Sequence, residues 1–243
     1  KKKNHNLFMK LSIIIPLFNE KNTIVKLLNQ IEKQNYIKKQ IIIVNDCSTD
    51  DSLDVIKSYK FFSEKLVLSH NTNLGKGACI KTAKDYVSGD IVIIQDADLE
   101  YDPQDYKKLI EPILTDVSKI VYGSRVLGKK RYHNAKNFIS RSRIFFNHFL
   151  TKLSNFINDQ NLTDAHTCYK VFSKDIFLNF KLKEKGFAFC PEVNSKVAKL
   201  NLKIKEVEIN YNGRTYLEGK KIGILDGVCA ILALIKYGLL KLD

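Results

Sequence analysis

The sequence predicts an α/β fold in which a doubly wound, mostly parallel sheet is flanked by helices. Short β-branched apolar runs recur along the first half of the chain, and segments with helical periodicity lie between them. Runs that are apolar on both faces are typical of a parallel sheet covered by helices. Strands and helices that alternate at this spacing indicate a doubly wound sheet, in which ligands bind outside the carboxyl ends of the strands.

The predicted strands of the first half are the apolar runs at 11–17, 40–46, 65–70, 90–96 and 119–125. The first, second, fourth and fifth runs end in polar motifs, which read PLFNE, NDCSTD, DADLE and GSR in chain order. Because the carboxyl ends of parallel strands meet at one edge of a sheet, these motifs predict a ligand site there.

The segments between these runs have the signals of helices. NTIVKLLNQIEKQ places Ile24, Leu27, Leu28 and Ile31 on one helical face. DDSLDVIKSY opens with acidic residues, which suit a helix N-terminus. NLGKG resembles a phosphate-binding loop but lacks the further Gly-Lys-Ser/Thr of a P-loop, so it indicates a turn before a helix.

The pattern changes after about residue 130, where basic and aromatic residues mix. We predict a helix over 137–157, a strand over 202–211 and a final helix around 220–240 with basic ends. Amphipathic helices of this kind either pack on a sheet or lie in a membrane interface, and both alternatives stay open here. We expect a catalytic domain over 11–215 and a C-terminal basic amphipathic helix over 216–243, packed on that domain or on the membrane.

Charge and cysteine usage limit the setting in which the protein works. The net charge of +14 favours polyanions, anionic membrane surfaces or phosphate-bearing substrates, although abundant Lys, Asn and Ile also fit a compositional bias. The cysteines form no CxxC pair, which argues against a zinc site and fits a reducing cytosol. Asp226 and Lys236 interrupt the longest apolar stretch, so we expect no spanning helix.

The fourth run ends in a concentration of carboxylates, which are Asp96, Asp98, Glu100 and Asp102. Carboxylates that converge without partners repel one another, and the pKa of one of them rises. A divalent cation removes that repulsion, and Mg²⁺ typically takes one or two carboxylates together with substrate phosphates. An exposed acidic loop is the alternative, but the position at the end of a buried strand favours a metal site.

Several motifs in order resemble family 2 glycosyltransferases of the GT-A fold. They read IIIPLFNE, VNDCSTDDS, NLGKGACIKTA, GDIVIIQDADLEYDP and VYGSR. DAHTCYKVF and the segment from EVNSKVAKL to YLEGKKI narrow the resemblance to relatives of dolichol-phosphate mannose synthase. The resemblance implies a nucleotide-sugar donor, Mg²⁺ or Mn²⁺ on the donor diphosphate, and a polyprenyl-phosphate acceptor at the membrane. Because such an acceptor must be reached at the bilayer, we expect peripheral association with the cytoplasmic membrane face.

The resemblance also implies which residues bind the donor and the metal. In the donor site, Pro16, Phe18 and Glu20 line the nucleobase pocket with Val44 and Asp46 beside it, and Asp96, Ala97 and Asp98 meet the ribose and diphosphate. Asp98 and Glu100 hold the metal, and Glu100 departs from the Gln that many relatives carry there.

Basic residues are implied at the phosphates of both substrates. Arg214 and Lys220 are expected on the donor, and Arg125 and Arg131 on the acceptor phosphate. Cations offset the negative charge that builds on a departing diphosphate. With Asp98 and Arg125, Asp164 of DAHTCYK completes the expected catalytic set.

We therefore expect metal-dependent, inverting transfer of a hexose from a GDP- or UDP-sugar to a lipid phosphate. An anionic phosphate acceptor needs no strong general base. The alternative is transfer to a hydroxyl of a glycolipid or surface glycan, for which Asp164 or Glu192 would be the base. A non-catalytic basic binding module is an alternative of another class, but the strand-end carboxylates would repel a polyanion, so no nucleic acid is expected.

Overall fold

The computed structural model describes residues 9–129, 138–214 and 223–242. Its strands are β1 Lys10–Leu17, β2 Lys38–Asn45, β3 Glu64–Ser69, β4 Ile91–Ile94, β5 Ile120–Ser124, β6 Lys170–Ser173 and β7 Ile204–Glu208. They form a seven-stranded sheet in the order β3-β2-β1-β4-β6-β5-β7. Every pairing is parallel except the two made by β6, which runs antiparallel to β4 and to β5. The predicted mostly parallel sheet is confirmed.

Helices cover the sheet. They are α1 Ile24–Glu32, α2 Ser52–Ser58, α3 Lys76–Lys84, α4 Tyr106–Leu114, α5 Phe138–Asn158, α6 Lys174–Asn179, α7 Phe189–Lys199 and α8 Ile224–Leu234. A 3₁₀ turn, Pro103–Asp105, precedes α4, and a π-helical turn, Ile235–Leu239, continues α8. The apolar face predicted for α1 is buried as expected, with Ile24, Leu27, Leu28 and Ile31 fully covered.

The core lies around the central strands. Residues 39–45 of β2 are all buried, and β1 pairs with it in register, Ile13 opposite Ile41 and Ile15 opposite Ile43. Strands apolar on both faces are stable only when helices cover both sides. The central strands therefore fix the positions of the loops at their carboxyl ends.

Strand β6 was not among the predicted strands. It is only four residues long and begins with Lys170, a residue type that is almost never fully buried without partners. Here the Lys170 ammonium donates to the carbonyls of Ala165 and Thr167, at 2.9 Å each, and lies 4.2 Å from the centre of the Tyr122 ring. Because β6 runs antiparallel, its beginning lies at the same sheet edge as the ends of β4 and β5.

The C-terminal helix packs on the rest of the molecule. Helix α8 and its π-helical turn contact α5 and α7, and Ala233, Leu234 and Tyr237 are buried. Among the described residues, none of the helices has both the length and the apolar character that crossing a membrane requires. The division predicted between 215 and 216 falls in 215–222, outside the described residues, and stays a prediction.

Candidate active site

The loop that follows β4 is anchored by a buried glutamine. The side-chain oxygen of Gln95 accepts hydrogen bonds from the hydroxyls of Tyr106 and Tyr169, both at 2.7 Å. Beyond it, one oxygen of Asp98 accepts from the backbone N–H of Glu100 at 3.1 Å. These bonds hold the acidic motif at the carboxyl edge of the sheet, where the sequence predicted a ligand site.

Arg214 lies among three carboxylates. Its guanidinium donates two hydrogen bonds to Glu20, at 3.0 and 3.1 Å, and lies 3.3 Å from an oxygen of Asp98. Its backbone N–H donates to Glu100 at 2.8 Å. Glu20, expected in the nucleobase pocket, therefore meets the acidic motif through Arg214. Residues from the loop after β1, from the loop after β4 and from the segment after β7 thus converge on one place.

Within this cluster, the carboxyl group of Asp98 has a strongly raised pKa. Burial, together with the charges of Asp96 and Glu100, raises the pKa of Asp98 to about 7. A cation at this place would restore the ionised form, which is the donor chemistry that Mg²⁺ and Mn²⁺ require. The described residues around Asp98 therefore fit the metal predicted from the sequence, and the assignment of Asp98 as one of its ligands stays a prediction.

Glu100 has a further task. Its oxygens accept from the Tyr211 hydroxyl at 2.7 Å and from the Arg214 backbone, and its carbonyl accepts from the Asn212 N–H at 2.9 Å. Glu100 therefore holds the segment that carries Arg214 against the acidic loop. Its predicted role as a metal ligand stays a prediction.

Lys76 is a site residue that sequence reasoning missed. It opens α3, and its ammonium donates to the Asp96 carboxylate and lies 3.3 Å from the Cys168 sulfur. Burial lowers the pKa of Lys76, but the charge of Asp96 outweighs burial and raises it well above the usual value, which keeps the ammonium charged. The signal was the lysine between Gly75 and Gly77, which we interpreted only as part of a turn.

Asp46, expected beside the nucleobase, organises a neighbouring turn. Its carboxylate accepts from the backbone N–H groups of Leu74 at 2.9 Å and Gly75 at 2.7 Å, and His70 Nδ1 lies 2.7 Å away. Gly75 has a φ of +95°, a conformation that side-chain-bearing residues rarely adopt. Asp46 therefore fixes the turn from which Lys76 projects.

Asp46, His70 and Cys79 form a three-donor cluster, with ligand atoms within 4.8 Å of one another. The other ring nitrogen of His70 lies 2.9 Å from the Thr82 hydroxyl, so both ring nitrogens are engaged. Burial raises the pKa of the Cys79 thiol, which keeps it protonated and a poor ligand. The chemistry of this cluster fits a satisfied hydrogen-bond network better than a metal centre.

The remaining predicted donor residues lie on β1, on β2 and in the loops that follow β1 and β4. Pro16 is half-buried on β1, directly opposite Val44 on β2, and Phe18 is half-buried just after β1. Val44 and Ala97 are buried, so a ligand at the sheet edge would meet their backbone and not their side chains. Their roles, like that of Phe18, stay predictions.

Arg125 and Asp164 form a buried pair. The guanidinium donates to both carboxylate oxygens, at 2.7 and 2.8 Å, and the Arg125 N–H donates to the same group at 3.1 Å. Burial favours the neutral acid, but Arg125 outweighs it and lowers the pKa of Asp164 below its ordinary value. The guanidinium carbon also lies 5.1 Å from the centre of the Tyr211 ring, which links this pair to Glu100.

The turn that carries Asp164 is held from β7. Glu206 accepts from the backbone N–H of Thr163 at 2.8 Å and of Asp164 at 3.0 Å. Sequence reasoning missed Glu206, because no local pattern separates it from other charged residues on a half-exposed strand. The expected catalytic residues Arg125 and Asp164 are thus brought together with each other, and their catalytic roles stay predictions.

Glu192, the other candidate base for a hydroxyl acceptor, is engaged by the segment that precedes its own helix. It is fully buried on α7 and accepts from the backbone N–H groups of Lys183 at 2.7 Å and Glu184 at 2.9 Å. The Lys196 ammonium lies 2.8 Å from the same carboxylate. Two other predicted residues, Arg131 and Lys220, lie outside the described residues.

The family model for glycosyl transferase family 2 matches residues 12–180. The chain belongs to this family. It is therefore a glycosyltransferase, and not a non-catalytic binding module. The match includes the ends of β1, β2, β4 and β5, where the predicted site residues lie. The resemblance noted in the sequence is confirmed at the level of the family.

Two of the similar proteins are named as enzymes that act on dolichyl phosphate. It is 28% identical to UDP-N-acetylglucosamine–dolichyl-phosphate N-acetylglucosaminyltransferase from Methanococcus voltae, over 93% of this chain and 96% of that protein. It is also 28% identical to dolichyl-phosphate beta-glucosyltransferase ALG5A from Trichomonas vaginalis, over 94% of this chain and 73% of that protein.

A solved structure supports the fold. Glucosyl-3-phosphoglycerate synthase from Mycobacterium tuberculosis superimposes with a TM-score of 0.69 at 18% identity, covering 97% of this chain and 82% of that chain. The same synthase has been crystallised with Mn²⁺ and UDP-glucose, at a TM-score of 0.68 and 17% identity. This likeness confirms the GT-A type of fold.

Proposed function

We propose that this glycosyltransferase moves a hexose from a UDP-sugar to a lipid phosphate of the polyprenyl or dolichyl type, with inversion and with Mg²⁺ or Mn²⁺ on the donor diphosphate. The observation that carries the proposal is the pairing of two carboxylates of the acidic motif with cations at one edge of the sheet, Asp98 with Arg214 and Asp96 with Lys76. The names of the relatives support both the acceptor and, over GDP, the uridine donor.

The residues of this edge divide the work of holding an anionic donor. Asp98 and Glu100 would hold the metal, which would supply positive charge to offset the negative charge on the departing diphosphate. Arg214 and Lys76 contribute preorganised positive charge to the same phosphates. Gln95, fixed by its two tyrosines, keeps the acidic loop in place while the sugar–phosphate bond breaks.

The acceptor is proposed to be a phosphate because the candidate bases are engaged elsewhere. Asp164 is paired with Arg125, which lowers the pKa of Asp164. Glu192 is buried and accepts hydrogen bonds from the backbone N–H groups of Lys183 and Glu184. A hydroxyl acceptor needs a base to take its proton. A phosphate oxygen is already an anion and attacks without one, in a single displacement that inverts the anomeric carbon.

We propose that an apolar surface formed by α5 and α8 contacts the lipid part of the acceptor. These helices contact each other, and both leave large apolar side chains exposed. The exposed residues on these helices and on the π-helical turn and residue that follow α8 are Phe145, Phe146, Phe149, Phe156, Leu225, Val228, Leu232, Ile235, Leu239 and Leu240. The exposed cations Arg141 and Lys152 on α5 suit anionic headgroups. We propose peripheral contact with an anionic membrane, on the cytoplasmic face, where free cysteines such as these persist.

The test is a transfer assay with radiolabelled UDP-glucose, UDP-N-acetylglucosamine and GDP-mannose, each with polyprenyl phosphate and Mn²⁺. We expect a lipid product whose label is released by mild acid, as a glycosyl phosphate is, and no product after chelation. A product that survives mild acid would identify a hydroxyl acceptor instead. Product formed only from GDP-mannose would overturn the uridine assignment.

The membrane part is tested separately by sedimentation with vesicles. We expect the full chain to sediment with phosphatidylglycerol vesicles and not with phosphatidylcholine vesicles. Phe156 is 86% exposed and Leu225 is 79% exposed, so replacing both with Ser should weaken vesicle binding without unfolding the protein. Unchanged vesicle binding by that variant would show that this surface does not meet the membrane.

A further inference from the structure

We infer that Glu184 is a positioning residue that couples the packing of the C-terminal helix to the donor side of the active site. This inference rests on the proposed function, because it assigns the Lys76–Asp96 pair to the donor. The coupling passes through the loop 180–188, which lies between α6 and α7 and contacts both α3 and the turn that follows α8.

The first contact joins this loop to the C-terminal helix. A single oxygen of Glu184 accepts from the Tyr237 hydroxyl at 2.7 Å and from the Lys236 ammonium at 2.9 Å. The Tyr237 ring is fully buried. Both partners lie in the π-helical turn that follows α8, and such turns are rare and occur frequently at functional sites. The same turn carries the exposed apolar side chains of Ile235 and Leu239.

The second contact joins the loop to the start of α3. The carbonyl of Lys185 accepts from the Ala78 N–H at 2.9 Å. A Cβ atom built on Gly75 would lie 2.6 Å from that carbonyl oxygen, and one on Gly77 would be closer still to the Glu184 carbonyl. The two backbones therefore touch at a distance that only glycine allows, so a shift of the loop displaces the start of α3.

The third contact reaches the acidic motif. Lys76 lies between those two glycines, and its ammonium donates to Asp96. The loop is also fixed by Glu192, whose carboxylate accepts from the backbone N–H groups of Lys183 and Glu184. Close-packed contacts of this kind transmit displacement because the interior has little free volume to absorb it. Tyr237 and Lys76 are thus linked through one loop whose position Glu184 sets.

The test measures nucleotide binding by the full chain, with no acceptor present. UDP and GDP are titrated calorimetrically in the presence of Mn²⁺ against the wild type and Glu184→Ala. We expect Glu184→Ala to raise the Kd about tenfold, within the range of ordinary coupling between sites. Tyr237→Phe, which removes only the hydroxyl, should raise it severalfold. Asp175→Ala is the matched control, since it removes an exposed carboxylate–lysine pair on α6, and its Kd should stay within twofold.

A double-mutant cycle separates positioning from a general loss of structure. Lys76→Met should weaken binding, and adding Glu184→Ala to it should weaken binding little further, because the loop then has no ammonium to position. Additive effects would overturn the inference. If Glu184→Ala does not fold, Glu184→Gln replaces it, and its Kd should rise about threefold because the amide oxygen keeps the Tyr237 bond.

The outcomes also distinguish this inference from the proposed function. A wild type that binds nucleotide, with Glu184→Ala binding equally well, would overturn the role of Glu184 and leave the proposed function standing. A wild type that binds neither nucleotide in the presence of Mn²⁺ would overturn both.

Discussion

The Arg125–Asp164 pair allows one prediction to be worked through, the effect of Asp164→Ala on stability. The pair is bidentate, and the side chains of Asp164 and Arg125 are only 5% and 15% exposed. Removing one partner of a buried pair leaves an uncompensated charge, at a cost of about 3–5 kcal/mol. In a chain of this size, each kcal/mol of lost stability lowers the melting temperature by about 2–4 °C. The expected melting temperature of Asp164→Ala is therefore lower by roughly 6–20 °C.

The assay is thermal and urea unfolding of the wild type, Asp164→Ala and the double variant Arg125→Leu/Asp164→Leu. We expect the double variant to be more stable than Asp164→Ala, because no unpaired charge remains. The folded-state pKa of Asp164 is lowered, so the pair stabilises above the ordinary carboxyl pKa of about 4 and loses its effect as pH falls through the lower folded value. The difference in melting temperature between wild type and Asp164→Ala should therefore shrink in acid.

One result would refute this reasoning. The pair does not stabilise the fold if the free energy of unfolding of Asp164→Ala lies within about 1 kcal/mol of the wild-type value, which is about the error of such measurements. If that variant also loses transfer to a hydroxyl acceptor, Asp164 acts as the general base and the alternative reaction is correct. If the variant is less stable but its folded fraction still transfers the sugar, Asp164 is excluded as the general base.

Three further outcomes are expected. Asp98→Ala should abolish transfer and weaken Mn²⁺-dependent nucleotide binding with the fold intact, measured by calorimetry and circular dichroism; wild-type turnover would remove Asp98 from the mechanism. Arg214→Ala should raise a substrate KM about tenfold or more, since a charge-assisted hydrogen bond contributes about 1.5–3 kcal/mol, and unchanged kinetics would contradict its assignment. Gly77→Ala should destabilise the fold by about 1–3 kcal/mol, because its Cβ would overlap the Glu184 carbonyl. Gly186→Ala is the control, since the space around Gly186 is open and no loss of stability is expected. Equal melting temperatures of the two variants would contradict the close contact at Gly77.

The elements that the sequence predicted well are those with a local signal. The face of α1 follows from apolar spacing along one segment, and the strand ends follow from apolar runs that stop at polar motifs. The doubly wound pattern then places Asp98 and Arg125 at one edge before any contact is known. These inferences need only neighbouring residues and a general rule of topology.

The features that were missed depend on contacts between distant parts of the chain. Lys170 makes β6 look polar, and only its bonds to two carbonyls and its contact with Tyr122 explain its burial. Glu206 and Lys76 look like ordinary surface charges until Thr163 and Asp96 are found beside them. Periodicity reports which side of an element is covered, but not which distant side chain satisfies a buried charge.

The contacts also explain how an acidic motif is compatible with a chain of net charge +14. Three of the motif's carboxylates face a protein cation, Asp96 with Lys76 and both Asp98 and Glu100 with Arg214, so the local field at this edge is not that of the whole surface. Net charge acts at long range and concentrates anions near the protein. A diphosphate that arrives must then share Lys76 and Arg214 with the carboxylates already there. A metal cation held by Asp98 would add positive charge, so that the diphosphate and the carboxylates would each have a cation beside them. For this reason nucleotide binding is expected to depend on metal even in so basic a protein.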